Sequence, residues 1–596
     1  MACLPGIWLD WEAGVWQPRV LTWGLLLPIS LTEGLDMAER TALTVVLAGL
    51  VLPVWTCSAA VRRDTDKAEV LLVPTFHCMS IYWSPAQGSP QRKVSVKFRQ
   101  AGQQQWRDGF PLRYHPVETA ECKADYRGSL VNLIPATTYD IALSLDGTDE
   151  QVECQGTTWC EQFPLGSVVK IPDRDTPLVV DQSGSPDGYV LFDGTDCTID
   201  TGNRDEIGIG VRASYVILRG FTVKNVKEHG IRLFEGHHIV IEDCDISKWG
   251  SEDENGWGKN YQACVFSNNS ALNAVVIQRC KMHHPSWDTN SWAEKHGEST
   301  HPAGPQTVVF WNSEGNHVFR YNECWSDDDH YFNDAMGAGS NGSYRGFPGA
   351  DSDIYCNYIA NCWDDGIEAE GGDQNVRIWN NYIEHVLIPI ANAAVSIGPL
   401  YVWRNVSGEC YSPPGSSWDM THGPFIKMGY AGGEQWMTGH MYIFNNTIFQ
   451  RDGNGAGGLG GGGRIIKHCT TRNNILHVRP QDGYSIAVSR NHADNDFDYD
   501  LISAACPPGH EKRGQKGVPQ YVSEAGFDPQ TRTGMFQLAA ESQGVDAAEV
   551  IPNFCEMTNG DPPDLGAHER GTGRMQFGVR AQFPPSGALR TIRKRP

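Results

Sequence analysis

From about residue 165 onward the chain repeats one pattern, a short apolar string followed by a cluster of polar turn residues. The clearest copies are LRGFTV, EDCDIS, QRCKMH, YNECWS, CNYIAN, NNYIEH, WRNVSG, FNNTIF and RNNILH. One register position in each gives Gly220, Cys244, Cys280, Asn322, Asn357, Asn381, Asn405, Asn446 and Asn474. Three of the successive steps are 24 residues, and the longer ones read as that step with loops inserted. A unit this short cannot bury its own apolar face, so the units must stack and bury it jointly. The pattern predicts an all-β solenoid over 165–570, a right-handed parallel β-helix. Its hand follows from the general rule for parallel crossover connections. Amides recurring at one turn position can bond to their counterparts one coil away, which predicts an internal ladder.

Residues 67–150 are patterned differently. The strings EVLLV, MSIYW, KVSVKFRQ and YDIALSL, separated by Gly, Pro and Ser turns, predict a small β-sandwich with Trp83 as a core aromatic. Within it, the run from Leu133 to Tyr139 (LIPATTY) resembles the tyrosine-corner region of fibronectin type III domains. That resemblance implies that Tyr139 ties its hydroxyl to nearby backbone. Upstream, Met37 begins a stretch with Arg40, an apolar run from Ala42 to Val54, and small residues at Ser58, Ala59 and Ala60. This is the layout of a signal peptide over 37–60, inside a non-mature region 1–60. It predicts a secreted or periplasmic protein with no stable membrane insertion, and a mature chain starting near Val61. Residues 571–596 read as a basic tail.

The formal net charge of -23 repels phosphate backbones and argues against nucleic acid as a partner. It leaves room for anionic sugars, which a local basic cleft or a bound cation can hold. Export permits disulfides. Among the 17 cysteines, Cys154 with Cys160 and Cys356 with Cys362 are spaced as local pairs, while others fall at repeat positions, where cysteine acts as a small hydrophobe. The glycine-rich run 455–464 lacks the lysine and hydroxyl of a phosphate-binding loop.

Candidate chemistry follows the long steps. Three lie between Cys244 and Asn357 and another follows Asn405, so loops from neighbouring coils should wall a groove. Two acidic runs lie in that zone, Trp325–His330, ending near Asn333 and Asp334, and Trp363–Glu370, each just after a ladder asparagine. Their register predicts that Asp327, Asp328, Asp329, Asp364, Asp365, Glu368 and Glu370 share a small volume on adjacent coils. Such crowding suits acid–base chemistry and equally a calcium site. Strand alternation places Ile367 inward and Glu368 and Glu370 outward. The surrounding insertions supply His283, His284, Trp287, Trp292, Lys295, His296, His330, Tyr344, Arg345, Glu384, His385, Arg404, His422, Lys427 and Trp436. Aromatic rings can stack on sugar faces, and Arg or Lys can hold carboxylate or sulfate.

The closing stretch 499–569, ending in PPDLGAHE, resembles the final segment of secreted β-helix carbohydrate-active proteins. The resemblance implies an enzyme that degrades polysaccharides, of glycoside hydrolase or polysaccharide lyase type. We read the chain as a monomer with a polysaccharide substrate. The first expectation is a hydrolase needing no cofactor, with Asp365 as acid, Asp328 as base or nucleophile, and Glu368 in support. Trp287, Trp292, His330, Tyr344, Arg345, Trp363, Glu370, His385, Arg404, His422 and Lys427 would line its groove, and Asp327, Asp329 and Asp364 are candidate Ca2+ ligands. The alternative is a calcium-assisted lyase acting on a uronic-acid polymer. Lys295 or Lys427 would be its base, Arg345 or Arg404 its helper, and the acids would hold Ca2+. A third reading is a non-catalytic polysaccharide-binding or adhesion protein.

Overall fold

The structure is a computed structural model and describes residues 9–12, 15–18, 70–339, 341–411, 423–429, 432–450, 453–460, 465–480, 482–487, 492, 494–555 and 562–583. The expected signal peptide at 37–60 and His422 lie outside these residues. Leu9–Glu12 and Val15–Pro18 pair antiparallel in a unit of their own.

From Leu165–Lys170 to Gln515–Lys516 the strands join in one continuous network of parallel pairs, each strand bonded to its counterpart on the next coil. This is the right-handed parallel β-helix expected from the repeat. Its interior is an apolar stack in which Ile231, Val265, Val308 and Met336 succeed one another in register.

The asparagine ladder runs through it. The Cys280 backbone N–H donates to Asn322 Oδ1 at 3.0 Å, that of Asn322 to Asn357 at 2.9 Å, and that of Asn357 to Asn381 at 3.0 Å. The series continues through Asn405, Asn446 and Asn474 and ends on Asp500. Each of these amides is fully buried, so the ladder satisfies groups that water cannot reach. Before Asn322 the same position is held by the buried thiols of Cys244 and Cys280. All described cysteines are free thiols, including Cys154, Cys160, Cys356 and Cys362. The two expected local disulfides are therefore not formed: Cys356 lies 3.1 Å from the Asn380 amide, while Cys362 packs in the coil interior.

Val70–Thr157 forms seven antiparallel strands. Arg107–His115 pairs with Val94–Gln100 through its first half and with Asp125–Leu130 through its second, so it bridges two sheets around a core of Met79, Ile81, Trp83, Phe98 and Tyr139. The Ile134 N–H donates to the Tyr139 hydroxyl at 2.9 Å. This sandwich lies against the solenoid. Arg377, fully buried, donates to Asp353 at 2.5 Å and to Ser80 and Ser129 of the sandwich at 2.7 and 3.1 Å. Phe76, Phe110, Val131 and the solenoid's Tyr355, Trp379, Tyr401 and Tyr442 form one apolar layer across the join.

At the other end, Pro563–Glu569 straps the last coils, with the Gly566 N–H on Asn473 O at 2.7 Å. The described part of the expected tail is still packed, since Phe577 and Ala581 are buried and Arg279 donates to the carbonyls of Val579 and Ala581. Among the described residues no helix is long and apolar enough to cross a membrane.

Candidate active site

The long strand Tyr358–Glu368 carries the second acidic run and stacks on Tyr382–Asn392, with Asp365 facing Ile388 and Glu368 facing Ala391. Ala391 in turn faces Lys427 on the strand Pro424–Met428. Glu368, Ala391 and Lys427 thus form one outward column, and the small side chain between them lets the long ones converge. On the other side of Glu368, a Cβ at Gly337 would lie 2.7 Å from the Glu368 carboxylate, so only glycine leaves room. Gly339, with φ at +61°, turns its N–H onto the same carboxylate at 2.9 Å.

The Lys427 ammonium lies 2.7 Å from Asp365 Oδ2 and 3.3 Å from Glu370 Oε1. Asp365 and Glu370 are each 1 % exposed. Asp334 approaches from the preceding coil and takes the Asp365 N–H at 3.0 Å and the Gln306 amide at 2.9 Å. His301 reaches Asp364 at 3.4 Å, and the Trp292 side chain lies beside the same carboxylate. Glu370 accepts from Asn341 and from the Ala393 N–H.

Four carboxylates, Asp364, Asp365, Glu368 and Glu370, therefore surround one ammonium, and Asp334 joins the cluster beside Asp364 and Asp365. Burial, reinforced by mutual repulsion, pushes Asp365 and Glu370 up to about 7 and Asp364 to about 6. It raises Asp334 and Glu368 as well. Burial alone would lower Lys427, but Asp365, Glu370, Asp364 and Glu368 outweigh it and hold the ammonium well above the usual lysine value.

The oxygens of Asp334, Asp364 and Asp365, and those of Asp365, Glu368 and Glu370, form two groups each within 4.8 Å of one another. Asp365 Oδ1 is buried and has no hydrogen-bond partner among the described residues. An all-oxygen, strongly anionic donor set with an unsatisfied buried oxygen fits a hard divalent cation such as Ca2+.

The structure brings together Asp364, Asp365, Glu368, Glu370, Lys427 and Trp292 of the expected residues. It does not bring in the first acidic run. Asp327, Asp328 and Asp329 lie on an exposed turn, where Asp327 pairs with His330 at 2.9 Å and His284 at 3.5 Å. The reason is register. Phe332, ten residues after Asn322, faces Cys362, which is only five after Asn357, so the turn between carries five extra residues. Asp334 takes the place that sequence spacing assigned to Asp328. Counting along the chain could not find it, because the insertion leaves no mark in the apolar pattern. Glu370, expected outward, is buried because the strand ends at Glu368 and the chain turns under Asn341 and Ala393.

The remaining expected residues lie elsewhere. Tyr344 packs on Trp436, and Arg345 contacts the carbonyls of Ser270 and Asn312 and faces Glu121 of the sandwich. His385 pairs with Glu409 at 3.5 Å, and Arg404 lies beside Glu569 of the closing strap. Trp363 stacks on Tyr331 with centroids 4.1 Å apart, and Trp287 is 36 % exposed. His283 sits between Asp245 and Trp325, His296 pairs with Asp253, and the exposed Lys295 lends its carbonyl to Trp257. Glu384 accepts from the hydroxyls of Tyr358 and Tyr382.

No protein-family model matches the chain, and no curated protein matches it. Among solved structures, that of the pectate lyase Pel9A is similar, with 14 % identity and a TM-score of 0.36 over 68 % of this chain and 86 % of that one.

Proposed function

We propose that the chain is a polysaccharide lyase that cleaves a uronic-acid polymer by β-elimination, with Lys427 as the base. The observation that carries the reading is a single lysine seated among four clustered carboxylates, 2.7 Å from one and 3.3 Å from another. Asp334, Asp364, Asp365, Glu368 and Glu370 would hold a divalent cation between them. A bound Ca2+ would supply positive charge to the substrate carboxylate and so acidify the adjacent C–H.

Lys427 would take the C5 proton of the uronate as the C4–O bond to the leaving sugar breaks. A protonated lysine cannot do this. Its counter-charge is the carboxylate cluster, and once those carboxylates are neutralised, burial favours the neutral amine. The cluster therefore couples the basicity of Lys427 to the charge around it. Asp365 bonds the lysine directly and would aim it, while His301 would hold Asp364.

A hydrolase is the second reading, favoured by the raised value of about 7 at Asp365, which suits a general acid. It needs a second carboxylate as base, which Asp334, in the place expected of Asp328, would supply, with Glu368 in support. The two readings part on variants. On whichever acidic polymer is turned over, Lys427→Ala should lower kcat by about 10²–10⁴, and Asp328→Asn should stay within about twofold of wild type. Loss of turnover in Asp334→Asn, with Lys427→Ala active, would reject the lyase reading.

A further inference from the structure

The outward column that holds Glu368 and Lys427 continues toward the N-terminal coils. Gly337, which abuts Glu368, follows Val309, and Val309 faces Phe266, which faces Arg232. Arg232 is half-buried on the strand His229–Glu235, where Ile231 and Leu233 point into the core and Arg232 and Phe234 point out. Its guanidinium lies 4.5 Å from the Phe234 ring centroid and 5.6 Å from that of Phe266. Phe266 is itself held flat by His229, with centroids 4.0 Å apart and planes at 11°.

Arg232 Nε is buried with no hydrogen-bond partner, and no carboxylate among the described residues pairs with the guanidinium. That is unusual in a chain of net charge -23. Its neighbour Arg212 shows the ordinary arrangement: it stacks on the same Phe234 but pairs with Glu235 at 3.2 Å. Arg232 is thus a fixed, stacked cation with its counter-charge missing.

Four coil steps separate Arg232 from Glu368, roughly 19 Å at about 4.8 Å per step. Several linked pyranoses span that distance, and one does not. The half-buried rings of Tyr261 and Trp311 pack against the same coil core and meet edge to face at 4.9 Å, with the Tyr261 hydroxyl beside Gly339. A sugar chain leaving the Lys427 site in this direction would run along the column toward a cation.

We propose that Arg232 is a distal subsite that binds one carboxylate of an extended polyuronate, several sugars away from the point of cleavage. This rests on the lyase reading and adds to it a chain direction, an anionic substrate at a second position, and a reason for preferring long chains. A planar guanidinium flanked by rings can take a carboxylate through two parallel N–H donors, which the compact ammonium of a lysine cannot do. The stacking rings lower the entropy lost when that contact forms.

The test is calorimetric binding of oligouronates (galacturonate, mannuronate and glucuronate decamers, each with its methyl ester as uncharged counterpart) to Lys427→Ala, which suppresses turnover. The tightest-bound acid is then measured on Lys427→Ala with Arg232→Ala, Arg232→Lys or Arg212→Ala added. The account expects Arg232→Ala to weaken binding about ten- to hundredfold, Arg232→Lys to restore part of it, Arg212→Ala to change little, and the methyl esters to bind weakly throughout. Undiminished binding in the Arg232→Ala chain, equal binding of the methyl ester, or no binding of any acidic decamer would overturn it. With Lys427 in place, Arg232→Ala should raise KM for the polymer more than it lowers kcat. The lyase reading fails separately, if wild-type protein binds the acid through Arg232 yet forms no unsaturated product.

Discussion

A lysine ammonium buried among carboxylates stays protonated for as long as they keep their charge, and Lys427 is in that position. The carboxylates pay for their proximity in mutual repulsion, so a divalent cation should stabilise the fold as well as serve the chemistry. Adding Ca2+ at pH 8 should therefore raise the melting temperature, and Asp365→Asn should abolish most of that rise. A rise of equal size in the variant would remove Asp365 from the cation site. The acids Asp364, Asp365, Glu368 and Glu370 were legible in the sequence because they crowd one short run beside a ladder asparagine. Lys427 was legible only as one of two lysines on insertions. Asp334 was hidden by the five-residue insertion before Phe332, and nothing in the apolar pattern distinguishes Arg232 from any outward cation on a strand.

Between the coils, the ladder is the element that fixes register. Its last rung departs from the rest. Asp500 accepts from the Asn474 backbone and side chain at 2.8 Å each, and Glu511 accepts the Asp500 N–H at 3.1 Å. Burial, with repulsion from Asp500, pushes Glu511 up to about 10, while burial raises Asp500 to about 6. The folded chain thus keeps a proton on Glu511 that the unfolded chain releases above the ordinary glutamate range, about 4.3. The stability tied to that proton is full below this range and falls as the pH climbs toward the folded value. Glu511→Gln removes the dependence. The variant should match wild type near pH 4 and exceed it increasingly between pH 5 and pH 8 in denaturant titrations. A constant gap across that range would show that Glu511 ionises normally. The solenoid and its ladder could be read from period alone, since buried amides recur at one position. The turn lengths that set which acids meet could not, because turns carry no apolar period.

At the scale of the molecule, the sandwich is part of the solenoid's surface. Arg377 and Asp353 are both fully buried, and besides the Asp351 carbonyl their further hydrogen bonds cross to Ser80, Ser129 and Thr75. Arg377→Ala should cost about 3–5 kcal/mol, because it leaves Asp353 charged and unpaired in the interior. The loss should appear as one lowered melting transition for the whole body. Two separated transitions would mean that sandwich and solenoid fold apart. The sandwich itself was legible from its alternating strings, but not its docking, since the Tyr355, Trp379 and Tyr401 layer that receives it reads in sequence as ordinary coil residues. Sandwich and strap hold the coils in register, and that register brings Asp334, the acids of Tyr358–Glu368 and Lys427 into one site. The most direct test of that site is the product formed from a uronic-acid polymer by wild-type protein with Ca2+ present. Elimination predicts new reducing ends accompanied by ultraviolet absorbance of an unsaturated uronide, with both lost in Lys427→Ala. Reducing ends without absorbance would contradict the account and assign the site to hydrolysis.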